Sequence, residues 1–469
     1  MSYVTVMGLE IHAELLTNSK AYCSCENSFA GKKNERICPV CAGFPGTLPA
    51  INKKAVELAV MSGLCFDCKI NNYSAFDRKN YFYPDLPKAY QITQFYHPIC
   101  LDGIIRINEK SFGIERIHIE EDAGKLIHSD TNTLIDYNRC GVPLIEIVTH
   151  PDFRNANEVC QFIEEIALRL KYAGVCDAKL EEGSLRVDVN ISVMKESDTK
   201  FGTRAEIKNL NSLKSVRRAI EYEATRQSML LDEGKNVILE TRRFDESSGK
   251  TISLRPKEKA EDYRYFPEPD LPPIFISDDD IKGIKGSMPE MPHVKFDRYT
   301  RKYKLTDTDA GLIIYDKSFA EFYDKAVSIL PEYKEISKLM LGEVNRNLNN
   351  TSQKIDDVYF SPCDIAKIVK MSIDNTITAN GAKELVRIMF REKGSPEELA
   401  RKYNLLTTDN TEELKKICSE VLSENSQQVT AYKNGNDKLF AFFIGQCVRR
   451  AGKCANPKLI KEILETLLN

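Results

Sequence analysis

Residues 184–193 read SLRVDVNISV, a stretch in which polar and apolar side chains alternate at every position. Successive side chains of a β-strand point to opposite faces of the sheet. The stretch therefore predicts a strand with one apolar face and one polar face. The polar face carries Arg186, Asp188, Asn190 and Ser192.

Three other segments, MGLEIHAEL, RAEIKNL and GIERIHIEEDAGK, also put ionisable side chains on one strand face. The side chains in question are Glu10, His12, Arg116, His118, Glu120, Arg204, Glu206 and Lys208, with Glu121 near the end of its strand. Carboxylates with histidine suit Mg²⁺ or Mn²⁺, and nearby Lys and Arg neutralise a phosphoryl group during transfer. The strands therefore predict a β-sheet cradle that binds a divalent metal and transfers phosphate. An antiparallel sheet with one solvated face would show the same alternation.

Length and charge set the broad class of the protein. The chain has 469 residues and a net charge of −3, so two or three domains are expected. Its apolar runs are too short to span a bilayer, and its first residues lack the features of a signal peptide, so a cytoplasmic protein is expected. The small net charge assigns any nucleic-acid contact to local patches.

Turn-forming residues divide the chain into segments. Short alternating segments are interrupted by predicted helices at 156–172 and 212–232, and a stretch rich in Pro, Gly and Asp then predicts a domain boundary. Beyond it, Ser361 is a predicted N-cap, and the break at 394–396 opens a last helical segment. We therefore expect an α+β catalytic cradle at 1–285, a helical domain at 286–395 and a helical tail at 396–469.

Common nucleotide-binding and hydrolase motifs are absent from the sequence. It has no GxxxxGK[ST] P-loop, no GxGxxG after a strand and no GxSxG nucleophile elbow. A site that uses ATP would therefore be neither a P-loop nor a Rossmann fold. The chain is also not expected to hydrolyse an amide by a serine mechanism on its own.

Two pairs of cysteines bracket a short charged loop near the N-terminus. They are Cys23, Cys25, Cys38 and Cys41. Their spacing matches a tetrahedral zinc knuckle near 23–41, in which four thiolates close the coordination sphere and fold a loop that has no core of its own. Four free cysteines are the alternative. Cys65 and Cys68 form another pair, but their apolar surroundings predict buried thiols.

Several longer segments resemble one known family, in the same order along the chain. They are MGLEIHAEL, DRKNYFYPDLPKAYQITQF, IHIEEDAGK, NRCGVPLIEIV, EEGSLRVDVNIS, EIKNLNS, ETRRFDESSGKT and DYRYFPEPDLPP. Together they resemble the B subunit of the aspartyl/glutamyl-tRNA(Asn/Gln) amidotransferase. The tail AYKNGNDKLFAFFIGQCVRRAGKCANPKLIKEIL resembles the tRNA-contacting C-terminal module of that family.

The resemblance implies a fold and an activity. It implies a catalytic cradle similar to glutamine synthetase, built on an antiparallel sheet and followed by all-α domains. The B subunit uses ATP and Mg²⁺ to phosphorylate the side-chain carboxylate of Glu on misacylated tRNA(Gln), or of Asp on tRNA(Asn). Ammonia freed from glutamine by the amidase, which is the A subunit, then travels through an internal channel and displaces the phosphate. A small C subunit joins the other two in a heterotrimer. The implied enzyme is a carbon–nitrogen ligase with glutamine as amido donor.

The resemblance also implies roles for single residues. The implied catalytic residues are Lys79, Glu121 and Glu206, and the implied Mg²⁺ ligands are Glu10, His12, Glu121, Asp188 and Glu206. The implied phosphate contacts are Lys79, Arg186, Arg204 and Lys208, although surface salt bridges explain the last three about as well. Glu120 is an adjacent candidate, but strand alternation points it away from its neighbour. Tyr81, Tyr83 and Asp85 are expected at the pocket or channel mouth, with buried packing as the alternative for the tyrosines. The cysteine quartet matches the zinc-bearing branch of the family, which implies structural Zn²⁺.

The tail is basic. Residues 432–469 hold seven Lys and Arg against three Asp and Glu, which suits contact with the backbone of a folded tRNA, and a solvated charged face is the alternative. The phenylalanines at 440, 442 and 443 are spaced as core residues. Two other functions are open: an RNA-binding scaffold would need the tail but not the acidic strands, and a ligase for a small carboxylic acid would need the strands but not the tail.

Overall fold

The computed structural model describes residues 3–28, 31–129, 131–256, 260–407, 411–451 and 457–468. The chain forms two compact units, Met1–Pro292 and His293–Asn469. The strands are β1 Tyr3–Glu14, β2 Lys69–Ile70, β3 Tyr73–Ser74, β4 Asp77–Asn80, β5 Tyr90–Thr93, β6 Cys100–Ile107, β7 Lys110–Glu121, β8 Lys125–His128, β9 Thr133–Asp136, β10 Pro143–Thr149, β11 Leu185–Lys195, β12 Ala205–Lys208, β13 Glu240–Asp245, β14 Lys250–Pro256, β15 Phe266–Pro267 and β16 Ile274–Phe275.

Helices cover the first unit and build the second. They are α1 Lys53–Cys65, α2 Ala156–Ala173, α3 Leu213–Asp232, α4 Asp278–Ser287, α5 Pro292–Asp297, α6 Asp307–Ile314, α7 Lys317–Ile329, α8 Tyr333–Leu339, α9 Asn345–Thr351, α10 Pro362–Ile373, α11 Ala379–Met389, α12 Pro396–Lys402, α13 Thr411–Glu424, α14 Ser426–Lys433, α15 Lys438–Ala451 and α16 Pro457–Leu468. Within the described ranges, no helix is long and apolar enough to cross a membrane.

A nine-stranded sheet forms the centre of the first unit. Its strand order is β14-β13-β12-β11-β1-β10-β7-β6-β2. The pair β12 and β13 is parallel, and the other paired neighbours are antiparallel. The expected antiparallel sheet is therefore a mixed sheet. A parallel pair needs a long crossover, and α3 supplies it between β12 and β13.

The apolar face of the sheet is buried, as the alternation predicts. The odd-numbered side chains of β11, from Leu185 to Val193, are at most 3% exposed. Helices α1, α2 and α3 pack on the sheet. The predicted helices at 156–172 and 212–232 are confirmed as α2 and α3: Gly174 ends the first in the left-handed region at φ +68°, and Ser212 caps the second. The opposite, polar face is left for the site.

A small sheet of β15, β4 and β5 lies in the same unit. Arg78 on β4 donates two hydrogen bonds to Glu268, from Nε at 2.7 Å and from Nη2 at 2.9 Å. The side chain of Glu268 is fully buried, so this bidentate pair fixes the segment after β15 to β4.

The second unit is helical in its described part. Ser361 caps α10 with a capping box, as predicted. Asp324 binds Lys295 and Arg298, and although burial acts to raise its pKa, these cations hold that pKa below its usual value. The stretch predicted as a domain boundary contains α4, which begins after Ser277 with a capping box.

The tail packs its own small core. Phe443 is fully buried in a cluster formed by α13, α15 and α16, and Phe440 packs against that cluster. Phe442 is 37% exposed, so the prediction of three core phenylalanines is wrong for this residue. Lys453, one of the basic residues of the tail, lies outside the described residues.

Candidate metal and phosphate site

A cavity of about 660 Å³ opens on the polar face of the large sheet. Strands β12, β11, β1, β10 and β7 lie side by side there, and each contributes ionisable side chains. The register places Glu10 opposite Asp188 and His12 opposite Glu146. Pairing across strands, rather than nearness in sequence, therefore assembles the site.

The first ligand set consists of His12, Glu120 and Glu146, whose donor atoms lie within 4.8 Å of one another. His118 lies beside both carboxylates: its Nε2 is 3.2 Å from Glu146 Oε2 and 3.5 Å from Glu120 Oε2. Glu120 Oε2 is buried and has no hydrogen-bond partner among the described residues. Such an oxygen is costly to bury unless a ligand compensates it. The residues present therefore fit a metal ion.

The charges of the first set are strongly coupled. Burial acts to lower the pKa of His12 and of His118, but the contacts with Glu146 outweigh it, so both pKa values are raised. Burial acts to raise the pKa of Glu146, yet the two histidines hold it well below its usual range. Without a metal, the imidazoles tend to keep their protons beside the carboxylate. A cation that binds here must displace them.

The second ligand set consists of Glu10, Asp188 and Glu206, again with donor atoms within 4.8 Å of one another. Lys208 Nζ donates to Asp188 at 2.5 Å and lies 3.4 Å from Glu206. Burial acts to lower the pKa of Lys208, but Asp188 and Glu206 raise it, so the ammonium group stays charged. The set offers only oxygen ligands, which Mg²⁺ prefers.

All four basic residues predicted to contact phosphate line the cavity. Lys79 Nζ lies 3.4 Å from Glu120, and Arg186 donates to both oxygens of Asp122 at 3.2 and 2.9 Å. Burial acts to lower the pKa of Lys79, but the charge of Glu120 raises it. Arg204 is exposed and, within the described part of the chain, forms no ion pair. Of the four basic residues, Arg204 is therefore the one that can bind an anion without first breaking an ion pair.

Glu121, predicted as a metal ligand and catalytic residue, is not brought to the cavity. Its Oε1 accepts hydrogen bonds from Lys88 Nζ and, at 3.0 Å, from the amide of Ile92. Neighbouring side chains of a strand point to opposite faces, and here Glu120 takes the cavity face. The structure therefore places Glu120, and not Glu121, at the cavity.

Glu146, a member of the first ligand set, is not predicted from the sequence. Strand β10 reads PLIEIVT, so its apolar residues on both sides of Glu146 hide the alternation. One signal was present, because a lone carboxylate in an otherwise buried strand needs a charged or metal partner.

The other expected pocket residues lie in different places. Tyr81 lines the cavity, and its hydroxyl donates to Gln91 at 3.4 Å. Tyr83 is 52% exposed and outside the cavity lining. Burial raises the pKa of Asp85, which also lies outside the lining.

The four cysteines predicted to bind zinc come together, with their sulfur atoms within 4.8 Å of one another. Cys41 Sγ is 4.0 Å from that of Cys25 and 3.9 Å from that of Cys38. A hydrogen bond with Cys23 lowers the pKa of Cys41 to about 4, and the buried ammonium of Lys20, 3.8 Å away, acts in the same direction. Four sulfurs around one point are the donor set of tetrahedral zinc. The other pair, Cys65 and Cys68, is buried as predicted.

Comparison with known proteins gives the family. The family model of the GatB/GatE catalytic domain matches residues 5–282. The chain belongs to this family. A second family model, the GatB domain, matches residues 321–468.

Curated relatives match over the full length. The B subunit of the aspartyl/glutamyl-tRNA(Asn/Gln) amidotransferase of Ruminiclostridium cellulolyticum is 46% identical over 475 residues, which covers 100% of this chain and 98% of the relative. The protein of the same name from Thermoanaerobacter pseudethanolicus is 46% identical over 474 residues and is covered completely, as is this chain. Both ligand sets and the cysteine quartet lie within the match to the GatB/GatE catalytic domain.

Proposed function

We propose that the chain is the carboxylate-activating component of a tRNA-dependent amidotransferase. Its cavity would transfer the γ-phosphoryl group of ATP to the side-chain carboxylate of Glu on misacylated tRNA(Gln), or of Asp on tRNA(Asn). The observation that carries this proposal is the meeting of two carboxylate-containing ligand sets with four basic side chains in one cavity. The full-length relatives are named as the B subunit of that amidotransferase, which supports it.

The chemistry explains why phosphate is needed. A free carboxylate does not react with ammonia, because its leaving group would be oxide. In the first step a carboxylate oxygen attacks the γ-phosphorus, the bond to the β,γ-bridging oxygen breaks, and ADP leaves with that electron pair. In the second step ammonia adds to the acyl carbon, inorganic phosphate leaves, and the nitrogen loses a proton to give the amide.

Mg²⁺ would be held by the two ligand sets. Glu10, His12, Asp188 and Glu206 keep the role predicted for them, and Glu120 with Glu146 replaces Glu121. Bound there, the ion would neutralise charge on the phosphate oxygens. The buried Glu120 Oε2, which accepts no hydrogen bond among the described residues, supports this assignment.

The basic residues would contact phosphate in two ways. Arg204 would meet the incoming phosphate directly. Lys79 and Lys208 are now paired with metal-ligand carboxylates. A cation that neutralises those carboxylates would weaken the pairs, so the ammonium groups could turn to phosphate. Arg186, held by Asp122, would act from a fixed position. Lys79 and Glu206 remain the proposed catalytic residues.

The remaining assignments follow from the same function. Residues 1–285 would form a cradle similar to glutamine synthetase, 286–395 a helical domain and 396–469 a tRNA-binding tail. Ammonia would come from the amidase, the A subunit, joined through a small C subunit in a cytoplasmic heterotrimer. The absence of a serine-hydrolase motif in the sequence supports a separate amidase.

Zn²⁺ would be structural. Four cysteines complete a tetrahedral shell and leave no position for substrate. The ion would fold the loop at 23–41.

ATP hydrolysis by the assembled heterotrimer tests the proposal. Turnover should require misacylated tRNA, and Glu206→Ala should lower it by about 100-fold or more, because a ligand of the charge-stabilising metal is lost. Glu196→Ala is the matched control: Glu196 is exposed in the turn after β11 and outside the cavity lining, so its loss should leave turnover unchanged.

Two outcomes would contradict the proposal. Turnover with free glutamate as the sole acceptor would indicate a ligase for a small carboxylic acid. No ATP turnover in the complete heterotrimer would favour an RNA-binding scaffold.

A further inference from the structure

Five aromatic side chains form a continuous row, which we call the aromatic row: Tyr81, Tyr263, Tyr265, Phe95 and Tyr96. Successive ring centroids are 5.9, 5.9, 4.1 and 5.1 Å apart. The rings of Tyr265 and Phe95 are stacked, with 9° between their planes. The row comes from two distant segments of the chain, so it exists only in the folded unit.

The row leads from the ligand sets to the surface. At its inner end Lys79 Nζ lies 5.2 Å from the centroid of Tyr263 and 3.4 Å from Glu120. The first four rings line the cavity. At its outer end Phe95 and Tyr96 are 37% and 56% exposed. Packing of the core does not account for large rings in this position, since they stay in contact with water.

The exposed end is nevertheless held in place. Asp77 Oδ2 accepts hydrogen bonds from the backbone amides of Phe95 and Tyr96, at 2.7 and 3.0 Å. The Tyr96 hydroxyl donates to the carbonyl of Tyr265 at 3.5 Å. Exposed rings that the backbone orients in advance lose little entropy when a flat ligand stacks on them.

We propose that the aromatic row stacks the unpaired 3′-terminal bases of an aminoacyl-tRNA and guides its ester end into the cavity. This inference rests on the proposed function. A side-chain carboxylate attached to the tRNA can reach the ligand sets only if the last nucleotides pass the cavity mouth. Aromatic side chains stack bases of any sequence, which suits an unpaired end.

Size and charge favour the tRNA end over the adenine of ATP. A single adenine covers one or two rings, whereas the row has five and reaches the surface. Arg264, between Tyr263 and Tyr265 in the chain, is exposed and places its guanidinium 5.8 Å from the ring centroid of Phe82. A cation beside a stacking surface complements the phosphates that link the bases.

Kinetics of the heterotrimer with the double variant Phe95→Ala/Tyr96→Ala test the inference. The KM for misacylated tRNA should rise about tenfold, because stacking on the outer rings is lost, while the KM for ATP and kcat stay unchanged. The control is Phe275→Ala, which removes a ring that is 75% exposed in the same unit but outside the cavity lining. It should change neither KM.

A binding experiment reports on the row without turnover. The fluorescence of a tRNA with 2-aminopurine as its 3′-terminal base should fall on binding to the wild type and to the control. The double variant should fail to quench it. Equal quenching in all three proteins would overturn the inference.

The kinetic outcomes separate the two proposals. A higher KM for ATP with an unchanged KM for tRNA would assign the row to the adenine of ATP and overturn the inference. Unchanged KM values for both would also overturn it. If the wild-type heterotrimer showed no tRNA-dependent turnover, the proposed function would be overturned instead. The quenching experiment would still decide whether the aromatic row binds the 3′ end of the tRNA.

Discussion

The buried ion pair of Arg78 and Glu268 gives the sharpest test of what holds the cavity wall. The perturbation is Arg78→Met, which keeps an unbranched side chain but removes both hydrogen bonds to Glu268. The carboxylate would keep the bond from the Asp270 amide, at 2.9 Å, in a fully buried position. The contact of the guanidinium with the ring of Tyr90, 4.2 Å from its centroid, would also be lost.

The magnitude follows from leaving a buried charge without its partner. Removing one member of a buried pair costs about 3–5 kcal/mol of unfolding free energy. Glu268→Gln keeps a polar group that can still accept from the arginine, so about 1–3 kcal/mol is expected. In the double variant no buried charge remains, and the cost should be less than the sum of the single variants by about 1–3 kcal/mol.

Urea unfolding followed by far-ultraviolet circular dichroism measures these values. Lys54→Met is the control, because Lys54 and Glu57 form an exposed pair on α1 and should contribute nothing measurable. Additive effects in the double variant, within about 0.5 kcal/mol, would refute the reasoning. A loss below about 1 kcal/mol for Arg78→Met would also refute it, since the carboxylate would then not depend on its partner.

Three further predictions concern metals and pH. Glu120→Gln should weaken Mn²⁺ binding, measured by electron paramagnetic resonance, by about 10–100-fold or more, whereas Glu121→Gln should leave it unchanged; equal effects would contradict the assignment of Glu120. Cys38→Ser should abolish the zinc content measured by mass spectrometry and lower Tm, whereas Cys363→Ser, at an exposed position, should do neither; zinc retained in Cys38→Ser would exclude the quartet as its site. Asp324 has a lowered pKa, so its contribution to stability is present above its unfolded pKa, about 4, and is lost as pH falls through the folded pKa. Asp324→Asn should therefore lower stability at pH 7 and flatten its decline in acid, as measured by urea titrations at several pH values; an unchanged acid profile would contradict this.

The strands and their polar face could be predicted because alternation is a local property. The parity of SLRVDVNISV predicts which side chains are buried, and the buried odd positions of β11 confirm it. Helices α2 and α3 were equally accessible to prediction, since their caps are encoded at Asn155, Gly174 and Ser212. These features depend on neighbours in sequence, so no knowledge of the fold was needed.

The ligand sets could be predicted only in part. Alternation alone puts Glu120 on the face of His118, and the structure agrees, whereas the choice of Glu121 came from the family motif. Glu146 was not predicted, because the apolar residues on both sides of it in β10 hide the alternation. The parallel pairing of β12 with β13 was not predicted either. The crossover through α3 is a tertiary property, and it does not alter the alternation of side chains along either strand.

The register of β1 explains why the two ligand sets depend on each other. In the register of β1 with β10, His12 lies opposite Glu146, and in the register of β1 with β11, Glu10 lies opposite Asp188. Because side chains of a strand alternate with a period of two, a slip of one residue would turn both ligands of β1 into the core. Replacing one ligand should therefore damage one set, whereas a cavity at Ile11, which lies fully buried on β1 between Glu10 and His12, should weaken both sets together. The apolar face of the sheet is thus as much a determinant of the chemistry as the polar face that carries it.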